Sequence, residues 1–157
     1  MTNHDHAAGR THHYSRLGVM LLLSFVAMYL LMYAMTNRAA DAYANVNQAY
    51  MAALMTAPMA LIELVLMRGM YTDRRLNLAI AALSVLVLAG AWVAIRQQAV
   101  VAERQFLRSM IPHHSGAILM CQRADINDAE VAKLCETIVA GQQQEIDQMN
   151  AILSRLR

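Results

Sequence analysis

Long apolar runs separated by short polar gaps occupy residues 17–95. Residues 17–35 contain no charged side chain, residues 49–67 contain one, Glu63, and residues 76–95 contain none. Each run is about 19–20 residues long, which lets a helix cross ~30 Å of hydrocarbon. The gaps are too short for another domain. The pattern predicts three transmembrane helices in one hairpin-connected bundle, at about 17–35, 49–70 and 76–95, behind a short tail at 1–16.

The pattern changes at residue 96. Residues 96–157 hold seven basic and seven acidic side chains, a neutral and soluble-like balance. Residues 96–110 read as a helix continuing out of the third span. Pro112 ends it, because the residue before a proline is pushed out of the α region. Pro112 also suits the first turn of a new helix, here running to about Ala124. Asp125, Ile126 and Asn127 make a turn. Asn127 with Glu130 reads as a capping box for a last helix reaching the C-terminus. Along that helix Val131, Cys135, Ile138, Gln142, Glu145, Met149, Ile152 and Leu156 recur at steps of four and three, the spacing of one buried face. Gln142 and Glu145 are polar yet fall on this seam. A buried carboxylate needs a partner or a metal, and Arg108 and Arg123 are the candidate partners. The fold expected is all-α: three transmembrane helices, then an extramembrane three-helix domain.

Composition supports the membrane reading. Hydrophobic residues make up 58% and charged residues 15%, too apolar a balance for an ordinary soluble domain. The net charge of +2 and the lack of a long basic run leave no footprint for nucleic acid. Arg10 and Arg16 precede the first span, Arg68, Arg74 and Arg75 lie between the second and third, and the 36–48 loop has only Arg38. The positive-inside rule then puts the N-terminus in the cytoplasm and residues 96–157 outside, as in a multi-pass protein of a bacterial inner membrane. Tyr14 and Tyr71 fall at the inner interface, and Tyr43, Tyr50 and Trp92 at the outer one. Ala42-Tyr43-Ala44 resembles a signal cleavage site, but the first apolar run is long for a signal peptide, so a retained helix is favoured.

The chain is rich in methionine (13) and histidine (6). Met is a common packing filler, but thioethers also select Cu(I). The densest local signal is Met110-Ile111-Pro112-His113-His114, followed by Met120-Cys121. On a helix beginning at Pro112, His113 shares a face with Met120, and His114 with Cys121. Imidazole with thioether or thiol is a ligand set for Cu(I); imidazole alone also suits Zn or Cu(II). Paired histidines at a helix start can equally be polar surface residues. The Glu-x-x-His pairs of a di-iron bundle are missing.

Residues 103–153 resemble the domain-of-unknown-function 305 family, a ferritin-like helical domain. The likeness runs through Phe106-Leu107, Met110 to His114, Ala117, Met120, Ile138, Gln142, Glu145-Ile146 and Met149. Members are typically exported, and some are linked to copper binding and resistance. The resemblance implies that Met110, His113, His114, Met120 and Met149 lie near a metal site. It also implies a half-bundle that a second copy completes, hence a homo-oligomer. Cys121 and Cys135 depart from the family pattern. They stand on successive antiparallel helices, so a disulfide, a pair of inert thiols and a ligand role are all open.

Within the membrane, Met51, Met55, Met59, Glu63 and Met67 recur every four residues. Met28, Met32 and Met35 occupy the outward half of the first span. The two sets could form an outward-opening thioether cluster, or simply pack and face lipid. Pro58 would kink the second helix. A carboxylate inside a bilayer, such as Glu63, is a functional candidate by default. In the tail, His4, His6, His12 and His13 offer weak Cu(II), Ni or Zn binding, but a solvated, disordered tail is the favoured reading. Three functions follow: a membrane-anchored protein capturing Cu(I) outside the cytoplasm for sequestration, tolerance or hand-off; an oligomeric metal transporter or channel component using the membrane Met residues and Glu63; and a structural or partner-binding module without metal. No nucleophile–base pair or cofactor loop is visible, so an enzyme is the least expected class.

Overall fold

A computed structural model of the protein describes residues 3–156, with side chains from His12 onward. The side chains of His4 and His6 lie outside the described residues. Five α-helices follow one another: α1 (Asn3–Leu31), α2 (Val46–Leu66), α3 (Arg74–Gln97), α4 (Glu103–Arg123) and α5 (Ala129–Arg155). Two 3-10 turns, Met32–Met35 and Ala39–Asp41, lie between α1 and α2. No strand occurs among the described residues. The helices divide into two compact units. One comprises residues up to 30 and Ala49–Ala99; the other comprises Leu31–Gln48 and Val100–Arg157.

The first unit holds the three apolar helices. Three stretches are long and apolar enough to cross a membrane: His12–Met35, Val46–Leu66 and Arg74–Gln97. Their large side chains, including Leu22, Leu31, Val65, Leu66 and Leu78, stand exposed. α1 begins well before the apolar run, at Asn3. α2 buries a stripe of small residues, Ala52, Thr56, Ala57 and Ala60, which ends at Leu64. Small side chains let apolar helices approach closely. Leu17, Leu64 and Tyr71 form a further buried cluster, with Tyr14 and Met20 packed against it. Asp73 caps α3, its carboxylate accepting from the backbone N–H groups of Arg75 (2.9 Å) and Leu76 (3.1 Å).

α3 does not run on into a helix over 96–110. Gln98 takes the left-handed conformation at φ 50° and closes the helix, and Val100 follows at φ 60°. A left-handed residue just past the last turn satisfies the end carbonyls and redirects the chain.

The second unit is an antiparallel hairpin of α4 and α5 packed around Leu107, Ile111, Ile118, Ile146 and Met149. Residues 96–157 therefore form two helices, α4 and α5, rather than the expected three. Pro112 sits inside α4 instead of ending a helix before it. Leu107, Ile111, His114, Ser115 and Ile118 are all buried on one face. That face needs an unbroken helix to meet α5, and its burial outweighs the local preference of a proline. Pro112→Ala is expected to stabilise this unit by about 1–3 kcal/mol, because it restores a backbone donor inside the helix. Slower hydrogen exchange in α4 would report the gain; faster exchange would mean that packing of the ring outweighs the lost bond.

α5 starts one residue later than the expected cap. Asp128, not Asn127, is the N-cap, accepting from Glu130 N–H and Val131 N–H at 2.9 Å each. Segment 31–48 is pinned to the hairpin by polar bonds. Asn37 N–H donates to Ser115 Oγ (2.9 Å), Val46 N–H to Gln105 Oε1 (3.2 Å), and the Tyr43 hydroxyl to Asn150 Oδ1 (3.0 Å). Gly116 permits the close approach, since a Cβ there would lie 3.2 Å from the Met35 carbonyl oxygen.

Candidate metal centre

The register of α4 against α5 decides which side chains meet. The Cys121–Cys135 disulfide fixes it near the turn, with Cα atoms 5.3 Å apart. At the far end an Arg104 Nη1 donates to the Leu156 carbonyl at 3.3 Å. Between these points His114 stands opposite Glu145, with Nε2 and Oε2 2.7 Å apart. In an antiparallel pair, one turn back on α4 meets one turn on along α5. Met110 and Met149 thus share the neighbouring level of the seam; Met149 is buried and Met110 packs against the same core.

His114 is buried and held at both nitrogens. Nδ1 lies 3.0 Å from the Met110 carbonyl, one turn earlier. That carbonyl can only accept, so Nδ1 carries its proton. The second nitrogen, Nε2, then faces a carboxylate. At 2.7 Å the two atoms share a hydrogen bond. A backbone carbonyl on one nitrogen, with the other aimed at a ligand position, is the arrangement that orients metal-bound histidines.

Glu145 is half-exposed, with 56% of its side chain accessible. Expected on the buried seam, either paired with an arginine such as Arg108 or Arg123 or bound to metal, it lies at the seam's edge and reaches in to His114. Ile146, one residue on, fills the core position. The α5 stripe is accordingly wider than the four-and-three pattern, with Val131 exposed and Val139 and Leu153 packed on the core.

The remaining predicted ligands are dispersed. His113 is exposed beside His114, their ring centroids 6.2 Å apart. Met120 is also exposed. Cys121 and Cys135 are joined in a disulfide, which withdraws both thiols from any ligand set while it is closed. Among the described residues, no group of three His, Cys, Asp or Glu side chains is gathered in a way that could hold a metal ion. The centre is therefore a His–Glu pair with two thioethers one turn away.

Sequence reasoning passed over Asp41 and Ser115. Asp41 is almost fully buried and accepts from the Ser115 hydroxyl at 2.7 Å, while Arg38 Nε approaches the same oxygen at 3.5 Å. Ser115 is wholly buried and follows His114 directly. The bonds around it thus anchor the turn of α4 that carries the imidazole. The only available signal was a small polar residue, Ser115, beside Gly116 on an otherwise apolar face.

In the first unit the methionine stripe lies one residue off the buried stripe of α2. Met51, Met55 and Met67 are exposed and Met59 is half-buried. Met28 receives a weak bond from the Thr56 hydroxyl, O to S 3.7 Å. Met32 and Met35 belong to the segment after α1, in the second unit. Glu63 is paired: the Tyr71 hydroxyl donates to it at 3.2 Å. Burial, and then the Glu63 carboxylate, push the Tyr71 phenol above its ordinary range. Tyr14 packs on Tyr71, ring centroids 5.2 Å apart, and its hydroxyl donates to Asn77 Oδ1 at 2.7 Å. Tyr14, Tyr71 and Tyr43 thus each donate their hydroxyl to another side chain of the fold.

The family described as Domain of unknown function (DUF305) matches residues 32–153. The chain belongs to that family. The match begins 71 residues earlier than the resemblance read from 103 onward, so it takes in residues 32–48, α2 and α3. An uncharacterized protein of Acanthamoeba polyphaga mimivirus is 34% identical over 138 residues, covering 86% of this chain and 89% of the viral protein. No solved structure matches.

Proposed function

We propose that this family member is a multi-pass membrane protein whose α4–α5 unit captures copper, as Cu(I), outside the cytoplasm for sequestration, tolerance or hand-off. One observation carries the reading: the buried His114 imidazole is tied through Nδ1 to the Met110 carbonyl, which directs Nε2 toward Glu145. The donor chemistry fits copper. An imidazole nitrogen suits either oxidation state, and the Met110 and Met149 thioethers favour Cu(I). Bound there, the ion would supply storage rather than chemistry. His114 and the two methionines would hold it, and Glu145 would balance its charge.

Placement outside the cytoplasm is supported by the basic residues around the tail and the 67–75 turn. The Cys121–Cys135 disulfide agrees, since such bonds persist in oxidising compartments. The α4–α5 unit leaves Phe106, Met120 and Leu134 exposed, which supports completion of the bundle by a second copy.

The test is titration of the full-length protein in detergent with Cu(I), against a chromophoric Cu(I) chelator, with ascorbate as reductant so that the disulfide stays closed. One Cu(I) per chain is expected. His114→Ala should weaken binding by at least roughly tenfold, the scale on which even supporting residues act at metal sites. Met110→Leu/Met149→Leu should weaken Cu(I) but not Zn(II). Equal affinity in the parent and His114→Ala would sink the proposal.

A further inference from the structure

Beside the hairpin core, segment 31–48 and the ends of α4 and α5 enclose a cleft of about 570 Å³. Its lining includes Arg38, Asp41, Tyr43, Arg104, Arg108 and Asn150. We propose that this cleft is an oxyanion site that takes a phosphate group.

The first argument is charge. Three guanidinium groups face one carboxylate, leaving the cleft about two positive charges in excess. That carboxylate, Asp41, is already engaged by Ser115 at 2.7 Å and Arg38 at 3.5 Å, and is 3% exposed. It is therefore in no position to neutralise the other two arginines. Among the described residues, Arg104 bonds only to a neutral acceptor, the Leu156 carbonyl at 3.3 Å.

The second argument is an unmet donor. Arg108 is half-buried, and its Nε is inaccessible with no hydrogen-bond partner. Arg108 makes no hydrogen bond or ion pair with any described residue. Surface arginines leave their donors to water, but water does not reach this nitrogen. An unpaired buried donor is costly, and more so on a charged group. With the side chain turned so that its Nε–Nη edge meets the cleft, an oxyanion would bridge both nitrogens. The Asn150 carbonyl oxygen accepts from Tyr43, which leaves its amide N–H groups as further donors. Two excess charges and a fork-shaped donor fit a phosphate dianion better than a single carboxylate. The cleft is larger than inorganic phosphate, so it also accommodates a phosphate ester.

Such a group comes from free phosphate or from an anionic lipid headgroup, and the test separates the two. The full-length protein in a neutral detergent is titrated calorimetrically with inorganic phosphate, then with short-chain phosphatidic acid, with short-chain phosphatidylcholine as control. Saturable phosphate binding is expected, weakened at least tenfold in Arg108→Gln and at least fivefold in Arg104→Gln. Arg104 lies on the exposed side, so that variant reports even if Arg108→Gln fails to fold. Arg108→Lys, which keeps the charge but loses the fork, should fall between parent and Arg108→Gln. Phosphatidic acid binding tenfold tighter than phosphate assigns the group to lipid; equal or weaker binding assigns it to free phosphate. No binding of either by the parent, or affinities unchanged in both Arg104→Gln and Arg108→Gln, overturns the proposal.

Discussion

Ser115→Ala is expected to destabilise the α4–α5 unit by about 3 kcal/mol, although it removes a single oxygen atom. Two deficits add. The Asp41 carboxylate, 3% exposed, loses a hydroxyl donor at 2.7 Å, and a hydrogen bond to a charged group contributes about 1.5–3 kcal/mol. The Asn37 N–H loses its acceptor at 2.9 Å, leaving a part-buried donor unsatisfied at a cost of about 1–3 kcal/mol. Alanine fills most of the same volume, so no large cavity contributes. Hydrogen exchange of the α4 and α5 amides measures the effect, because local opening is read segment by segment even where a membrane protein does not unfold in one step. Opening should become roughly a hundredfold more frequent. Arg38→Gln is the control: its side chain is 53% exposed, so its ion pair is worth about 0–1 kcal/mol. A change within threefold for Ser115→Ala would mean that Asp41 finds water or another donor, and that segment 31–48 is not held through Ser115.

The apolar helices were legible because hydrophobic length is a one-dimensional property. A run of 19 or 20 residues with at most one charge specifies a helix long and apolar enough to cross a membrane, whatever surrounds it. Its ends were less legible, being set by single side chains. Asp73 starts α3 two residues ahead of the apolar run, and Gln98 in the left-handed region stops it. Pro112 misled for a related reason. Its local preference is real, but it competes with a face, Leu107 to Ile118, whose burial depends on a partner helix that no local window contains.

The candidate site was legible in type more than in membership. The paired histidines and flanking methionines marked α4, yet only His114 is buried and engaged while His113 is exposed. Choosing between them needs the rotation of α4 about its axis, which the packing of Ile111 and Ile118 sets. Glu145 was singled out as a carboxylate on an apolar seam, and its partner proved to be that histidine. Asp41 carried no such flag, because a loop aspartate in a polar stretch is indistinguishable from a solvated one until Ser115 closes over it. The methionines of α1 and α2 show the converse. Their four-residue spacing is regular, but the buried stripe beside it is built of Ala52, Thr56 and Ala60, since close helix approach favours small side chains over long ones.

Removing the disulfide, by Cys121→Ala/Cys135→Ala, is expected to destabilise the same hairpin by about 3 kcal/mol, with little change in copper stoichiometry. The bond closes a loop of separation 14 between α4 and α5. A closed loop of that size restricts the unfolded chain by about 3 kcal/mol at room temperature. Both cysteines are only partly buried, so truncation adds a small packing loss. The stability effect should appear as a roughly hundredfold rise in opening of the α4 and α5 amides. It should be mimicked by strong reduction of the parent and be absent when the double variant is reduced. Copper separates this structural role from a ligand role. His114 lies two turns before Cys121 on α4, and its hydrogen-bond partners, the Met110 carbonyl and Glu145, include neither sulfur of the bridge. Under ascorbate the double variant should therefore still take one Cu(I) per chain, with affinity changed less than tenfold. If the copper is lost while the hairpin stays folded, the thiols are ligands and the disulfide is the oxidised form of the site. If the copper stays and the opening rate rises, the bridge is a clamp that holds α4 and α5 in the register that brings His114 to Glu145.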